Sequence, residues 1–522
     1  MCKAILSILL FFSISFFGNS QDSRRDSLIH FSELVFNSSL EREYFQKILD
    51  SDKSALFEGF MMAKVRDKNF IELKKRSFEY QLNELQNIKK GKKNDKYLKK
   101  VYEELHLKFF RKYEEMVSFE KIFENGRYNC VTACALYGLA FDHLEISYSI
   151  KETPTHVYIV AFPDQDQIVI ETTDPIEGFR NINESFKRNF ITSLQQQKLI
   201  DSENTRTSLD KLFDEYYYAA NEIDLIKLIG IHYYNVGFEF FQLKDYDNAL
   251  TNFAKAYFIY DSEQITDMLF ASLSLTLSEK NYDNPNDVKF LGMLNRFRNY
   301  EISDSDIKGE FGRMTQKLLI EKNDTVSYDS AYRIINELFS KKDSVIKNEV
   351  AYIYHYERAR VLYNRAYYPT ALAYAKTAYE LKPESIDSET LLIACFSNTH
   401  INASSLFALS ELNILLKACP SLTNNNRLGS MWLNLHLQNM FQSFLDKESK
   451  KGFDFKSSFE ELVKKYPNFR FDPLIAGSAY AQLVAYYFRR GQISLARNAL
   501  EEGFKYSPNN AELKAREYAL NR

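Results

Sequence analysis

Three residues in one short stretch carry the parts of an activated sulfur nucleophile: Cys130, His156 and Asp174. A thiol can attack, an imidazole can take its proton and return it, and a carboxylate can hold the imidazole in one tautomer. That division of labour is acyl transfer through a covalent thioester. Five of the other histidines compete poorly. His143 is thirteen residues from Cys130 on the same predicted helix, which at 1.5 Å per residue separates them by about 20 Å. His232, His355, His400 and His436 fall in a later, repetitive region with no cysteine and carboxylate pattern around them.

The elements that must position these groups are legible nearby. In ENGRYNCVTACALYGLA the Asn125-Gly126 pair predicts a turn, Asn129 a helix cap and Cys130 the first helical position. Unpaired N–H groups at a helix start favour thiolate over thiol and can also receive an oxyanion. Asn125 and Asn129 are the candidates for a second oxyanion donor. Downstream, residues 146–151, 156–162 and 167–172 are β-rich, bounded by turn chemistry at Lys151 to Pro154 and Pro163 to Asp166. A loop centred on Asp164-Gln165-Asp166 sets His156 opposite Asp174, with Cβ atoms about 4.5–5.5 Å apart. A slip of one residue would send one of the two side chains to the other face.

The strings GRYNCVTACALYGLA, PTHVYIVAF and VIETTDP resemble the transglutaminase-like core of the papain-like cysteine hydrolases. The resemblance covers residues 120–180, roughly an eighth of the chain. It implies Cys130 as nucleophile, His156 as base and Asp174 as orienter, with no cofactor and no metal. The implied substrate is a peptide or protein, cleaved at an amide bond in bacterial members more often than crosslinked. The sequence departs from the family in having Val131 and Tyr158, where members often carry an aromatic residue after the cysteine and a tryptophan two after the histidine.

Cys130 also lies on one helical stripe with Cys134, Tyr137 and Phe141, the pattern of a core thiol. A second reading therefore stands beside the first: an inert core kept as a structural module, with the repeats binding peptides or envelope proteins.

Around this unit the chain is patterned for helices. Apolar positions such as Leu28, Phe31, Leu34 and Val35 recur at three and four residues, and prolines are absent from Asp26 to Glu120. After residue 220 the pattern repeats. Tyr233, Gly237 and Phe240 precede Ala249, Phe253 and Ala256 in one copy; Ala359 precedes Ala371, Ala375, Ala378 and Pro383 in a second; Leu483 and Tyr487 precede Ala496, Leu500, Gly503 and Pro508 in a third. These copies resemble tetratricopeptide repeats, whose stacked helix pairs build a concave surface able to hold a protein partner.

The first twenty residues read as an export signal: Lys3, the apolar run AILSILLFFSISFFG, then small residues and a polar shift at Ser20 and Gln21. That run is shorter than the ~20 residues a membrane-spanning helix needs, so the mature chain is predicted to have no integral span and to be secreted or periplasmic. The formal charge of −3 across 522 residues argues against nucleic acid as a partner. Four cysteines after the signal are too few for a disulfide framework, and no His/Cys spacing suits a metal. The predicted architecture is mainly α: a signal at 1–20, a helical region at 21–120, a small α+β transglutaminase-like core at 121–190, a helical linker at 191–220 and a tetratricopeptide-like α-solenoid at 221–522.

Overall fold

The computed structural model describes residues 28–89, 94–153, 156–165, 167–172, 179–181, 221–300 and 302–521, with a few isolated positions between 187 and 213. The predicted export signal and Asp174 lie outside the described residues. The protein is mainly α-helical with a small sheet, as its periodicity predicts.

The first helices are α1 (Ser39–Leu49), α2 (Leu56–Met62), α3 (Lys68–Asn87) and α4 (Asn94–Phe109). Local chemistry starts them: the Ser38 hydroxyl accepts from the Glu41 N–H at 3.0 Å, and the Asp67 carboxylate accepts from the Asn69 N–H at 2.9 Å. Such caps contribute about 1 kcal/mol each. Apolar stripes then bury one face, through Ile71, Phe78, Leu82 and Leu85 on α3 and through Leu98, Val101 and Leu105 on α4.

A two-residue strand, β1 (Lys112–Tyr113), follows α4 and runs parallel to β2 (Arg127–Tyr128). Between them the short α5 (Glu120–Asn125) ends on Gly126, whose φ of 75° is left-handed and whose missing Cβ leaves room for the Arg111 side chain. The predicted Asn125-Gly126 turn is this helix end, and it delivers the chain into α6 (Cys130–Leu144).

Helix α6 packs against an antiparallel sheet of order β6-β5-β4-β3-β7, built from β3 (Tyr148–Thr153), β4 (His156–Ala161), β5 (Ile168–Ile170), β6 (Phe179–Asn181) and β7 (Asn221–Ile223). The β4–β5 ladder pairs Ile159 with Ile170, Val160 with Val169 and Ala161 with Ile168. This corrects the expected register, in which Ile159 would face Glu171. The connection takes Phe162 and Gln167 into left-handed backbone, and the Gln167 N–H donates to the Phe162 carbonyl at 3.1 Å, so the hairpin closes one residue earlier. Ile168, Val169 and Ile170 are all buried, so no polar alternation marks the register in the sequence.

Helices α7 (Leu225–Gln242) and α8 (Tyr246–Ile259) form the first repeat-like hairpin, followed by α9 (Glu263–Glu279) and α10 (Lys289–Arg296). Gly237 lets the two helices of the hairpin approach, since a Cβ there would lie 3.0 Å from the Phe253 ring. A buried ion pair ties this hairpin to the N-terminal segment: the Lys255 ammonium donates to Glu41 at 2.6 Å, and the Tyr233 hydroxyl donates to the same carboxylate at 3.2 Å. Removing one member of such a pair costs about 3–5 kcal/mol, because the other charge is left buried alone.

These elements form one compact unit, comprising the chain up to Asp283 together with Lys289–Ile302. The first repeat-like hairpin thus shares a unit with the sheet, and the division of the chain falls well beyond residue 221.

The second unit comprises Asn284–Val288 and Ser303–Arg522. Its helices are α11 (Asp304–Thr315), α12 (Thr325–Leu338), α13 (Ser344–Asn364), α14 (Tyr368–Leu381), α15 (Ile386–Thr399), α16 (Ser405–Ala418), α17 (Asn426–Leu445), α18 (Ser449–Lys465), α19 (Pro473–Arg489), α20 (Ile493–Tyr506) and α21 (Ala511–Leu520). Sequence neighbours pack as hairpins, α13 on α14, α17 on α18 and α19 on α20. The small residues of the repeat pattern sit at these contacts: Ala359, Ala371, Ala375, Ala378 and Ala496 are fully buried. Each of the three hairpins turns through one left-handed residue, Ala366, Lys447 and Gly491 respectively. No described helix is long and apolar enough to cross a membrane.

Candidate active site

Cys130 occupies the first position of α6, half-buried and unbridged. Asn129 caps the helix as predicted: its Oδ1 accepts from the Thr132 N–H at 2.9 Å, and the Thr132 hydroxyl accepts from the Asn129 N–H at 2.9 Å. This reciprocal cap fixes the turn that carries the thiol and engages the Thr132 N–H, while the Ala133 N–H donates to the Asn129 carbonyl at 2.9 Å. The Asn129 Nδ2 is committed elsewhere, donating to the carbonyls of Glu115 at 3.0 Å and Val117 at 3.2 Å. Asn129 is therefore a structural residue rather than an oxyanion donor. Asn125 serves the preceding turn, where its Oδ1 accepts from the Arg127 N–H at 3.1 Å.

His156 opens β4, paired with Thr153 across the β3–β4 hairpin, and its side chain is about a third exposed. Its Nε2 lies 3.0 and 2.9 Å from the two carboxylate oxygens of Glu171. Glu171 directly follows β5, and the observed register puts it diagonal to His156 on the same face, a separation of about 7–8 Å between backbones that long side chains bridge. Asp174, the carboxylate singled out by sequence, is outside the described residues. The signal for Glu171 was present in the string VIETTDP, but reading it needed the ladder register.

Cys130 acts on the same imidazole. With Nε2 held by the carboxylate, Nδ1 is the ring nitrogen left to meet the thiol. Burial works against a proton on His156 and is the largest single influence. Hydrogen bonds with Cys130 and Glu171, reinforced by the charges of both, outweigh it and raise the imidazole pKa to about 10. The resting arrangement that follows at neutral pH is an imidazolium between two anion-forming groups.

One turn further along α6, Cys134 has the opposite surroundings. It is fully buried, its thiol donates to the Val157 carbonyl at 3.4 Å, and it lies 3.7 Å from the Thr172 hydroxyl. Burial holds its pKa well above the ordinary thiol range. Of the two cysteines on the predicted stripe, one is core and one faces the histidine.

A further side chain stands at the site that sequence reading did not single out. Tyr113 pairs with Tyr128 in the β1–β2 ladder, their rings meeting edge-on with centroids 6.0 Å apart. Burial first, then the charges of Cys130, Glu115, Glu171 and Tyr128, push its phenol up to about 12. A strand of two residues has no periodicity to announce it.

Among the described residues no three His, Cys, Asp or Glu side chains gather into a cluster that could hold a metal ion. No family model matches the chain, and no curated protein is significantly similar to it.

Proposed function

We propose that the protein is an exported cysteine hydrolase of the transglutaminase-like type, acting on a peptide or amide bond, with its helical hairpins serving as a tetratricopeptide-like scaffold able to hold a protein partner. One observation carries this reading: the imidazole of His156 sits between the Glu171 carboxylate and a thiol at the first position of a capped helix. That is the minimum constellation for nucleophile activation. Glu171 takes the orienting role that the sequence assigns to Asp174.

In the proposed cycle the Cys130 thiolate attacks the carbonyl carbon, forming a carbon–sulfur bond and a tetrahedral oxyanion. The oxyanion collapses, the carbon–nitrogen bond breaks, and the His156 imidazolium gives its proton to the departing amine. Water then attacks the thioester while His156 takes the water's proton. The carbon–sulfur bond breaks, the carboxylic acid product leaves and the thiolate is restored. Backbone N–H groups of the first turn of α6 face the oxyanion, where a single donor contributes about 10²–10³-fold.

The full chain mixed with excess p-nitrophenyl acetate should release a burst of nitrophenolate equivalent to one thiol per chain, with an acetyl thioester on Cys130 detected by mass spectrometry. Cys130→Ala should abolish the burst with the helical circular dichroism unchanged. An equal burst from both proteins would remove the enzyme and leave the scaffold reading.

A further inference from the structure

A side-chain donor to the oxyanion would add to the backbone N–H groups of the nucleophile's own helix turn, and the two asparagines nearest in sequence are engaged in a cap and a turn. Tyr113 is placed to supply that donor. Its strand lies beside β2, one sheet spacing of about 4.8 Å away, with Tyr113 directly paired to Tyr128. Asn129, the residue between Tyr128 and Cys130, is extended at φ −129° and ψ −175°. Alternation along an extended segment turns Tyr128 and Cys130 to the same side, so Tyr113, Tyr128 and Cys130 share one face. The Tyr113 side chain is 48 % exposed, and its hydroxyl makes no hydrogen bond among the described residues.

We infer that the Tyr113 hydroxyl is the side-chain oxyanion donor of this site, contacting the tetrahedral intermediate formed on Cys130. The inference rests on the hydrolase reading above. A donor must keep its proton across the working pH range, and burial first, with neighbouring charges adding to it, raises the Tyr113 phenol to about 12.

Two reactions of the same thiol separate this role from a general effect on the thiol. Acylation by p-nitrophenyl acetate passes through a tetrahedral oxyanion; alkylation by iodoacetamide is a displacement at a saturated carbon and forms none. Tyr113→Phe removes only the hydroxyl from a half-exposed ring. The expected result is a fall of about 10²-fold in the acylation rate, with the iodoacetamide rate within about twofold of the native protein. Equal falls in both reactions, or no fall in acylation, would overturn the assignment of Tyr113. Cys130→Ala run alongside tests the underlying reading separately: nitrophenolate release at the native rate from that variant would overturn the hydrolase itself, whatever Tyr113→Phe does.

Discussion

His156 and His232 belong to the same compact unit and have opposite surroundings. His156 sits at a strand start, about a third exposed, with a carboxylate on one nitrogen and a thiol within reach of the ring. His232 sits on α7, fully buried against the Phe60 ring at 6.0 Å between centroids. Neither of its nitrogens makes a well-formed hydrogen bond. Burial, helped by the charge of Lys64 and opposed only slightly by the Phe60 backbone, lowers its pKa to about 4, whereas partners raise that of His156 to about 10. The same imidazole is thus a neutral packing element in one place and a cation held between a thiol and a carboxylate in the other. What decides between them is not burial, which disfavours the proton at both, but whether anions stand at bonding distance.

The sharpest way to break this contrast is to remove each ring in turn. His156→Gln should lower the rate of acylation by p-nitrophenyl acetate by about 10³–10⁴-fold, the upper range for loss of a positioned proton-transfer group. His232→Phe should leave that rate within about twofold. Comparable losses in both variants would mean that His156 acts only through the fold. Glu171→Gln comes next, with an expected fall on the order of 10²-fold, because the carboxylate acts through the imidazole rather than on the substrate. Its pH–rate profile supplies the readout that a merely structural role would not move: with the carboxylate gone, the apparent imidazole pKa should fall from about 10 toward the ordinary histidine value. An unchanged profile would remove Glu171 from the constellation.

The same contrast explains what the sequence could and could not convey. Cys130 was legible because its position is set by local chemistry: a Gly126 that ends one helix and an Asn129 that caps the next lie within five residues of it. His156 was legible from the turn that precedes its strand. The helical hairpins were legible because close helix approach demands small residues at fixed intervals, visible as Ala371, Ala375 and Ala378. Glu171 was hidden because Ile168 to Ile170 are buried on both faces, and a register without alternation is fixed only by how the loop closes. Tyr113 was hidden because its partner strand lies beyond an intervening helix, a long-range pairing that no local pattern encodes.

The smallest expected effects are on stability, and they run in opposite directions along the pH scale. His232 has a folded-state pKa depressed from 6.5 to about 4, so its neutral form is favoured by folding. Its contribution is fully present above pH 6.5 and is lost as pH falls toward 4, by about 3 kcal/mol at most. His156 has a folded-state pKa raised from 6.5 to about 10, so its protonated form is favoured by folding. That contribution is fully present below pH 6.5 and is lost as pH rises through about 10. Thermal unfolding of the full chain from pH 4 to pH 10.5 should therefore decline at both ends. His232→Phe should flatten the acid decline alone, and His156→Gln should flatten the alkaline decline alone. The alkaline change should be the weaker, since a group about a third exposed is partly screened by water. A histidine whose replacement alters neither side of the profile would not have the surroundings described for it, and a pair of variants that alter the same side would erase the difference between packing and chemistry on which the two rings are distinguished.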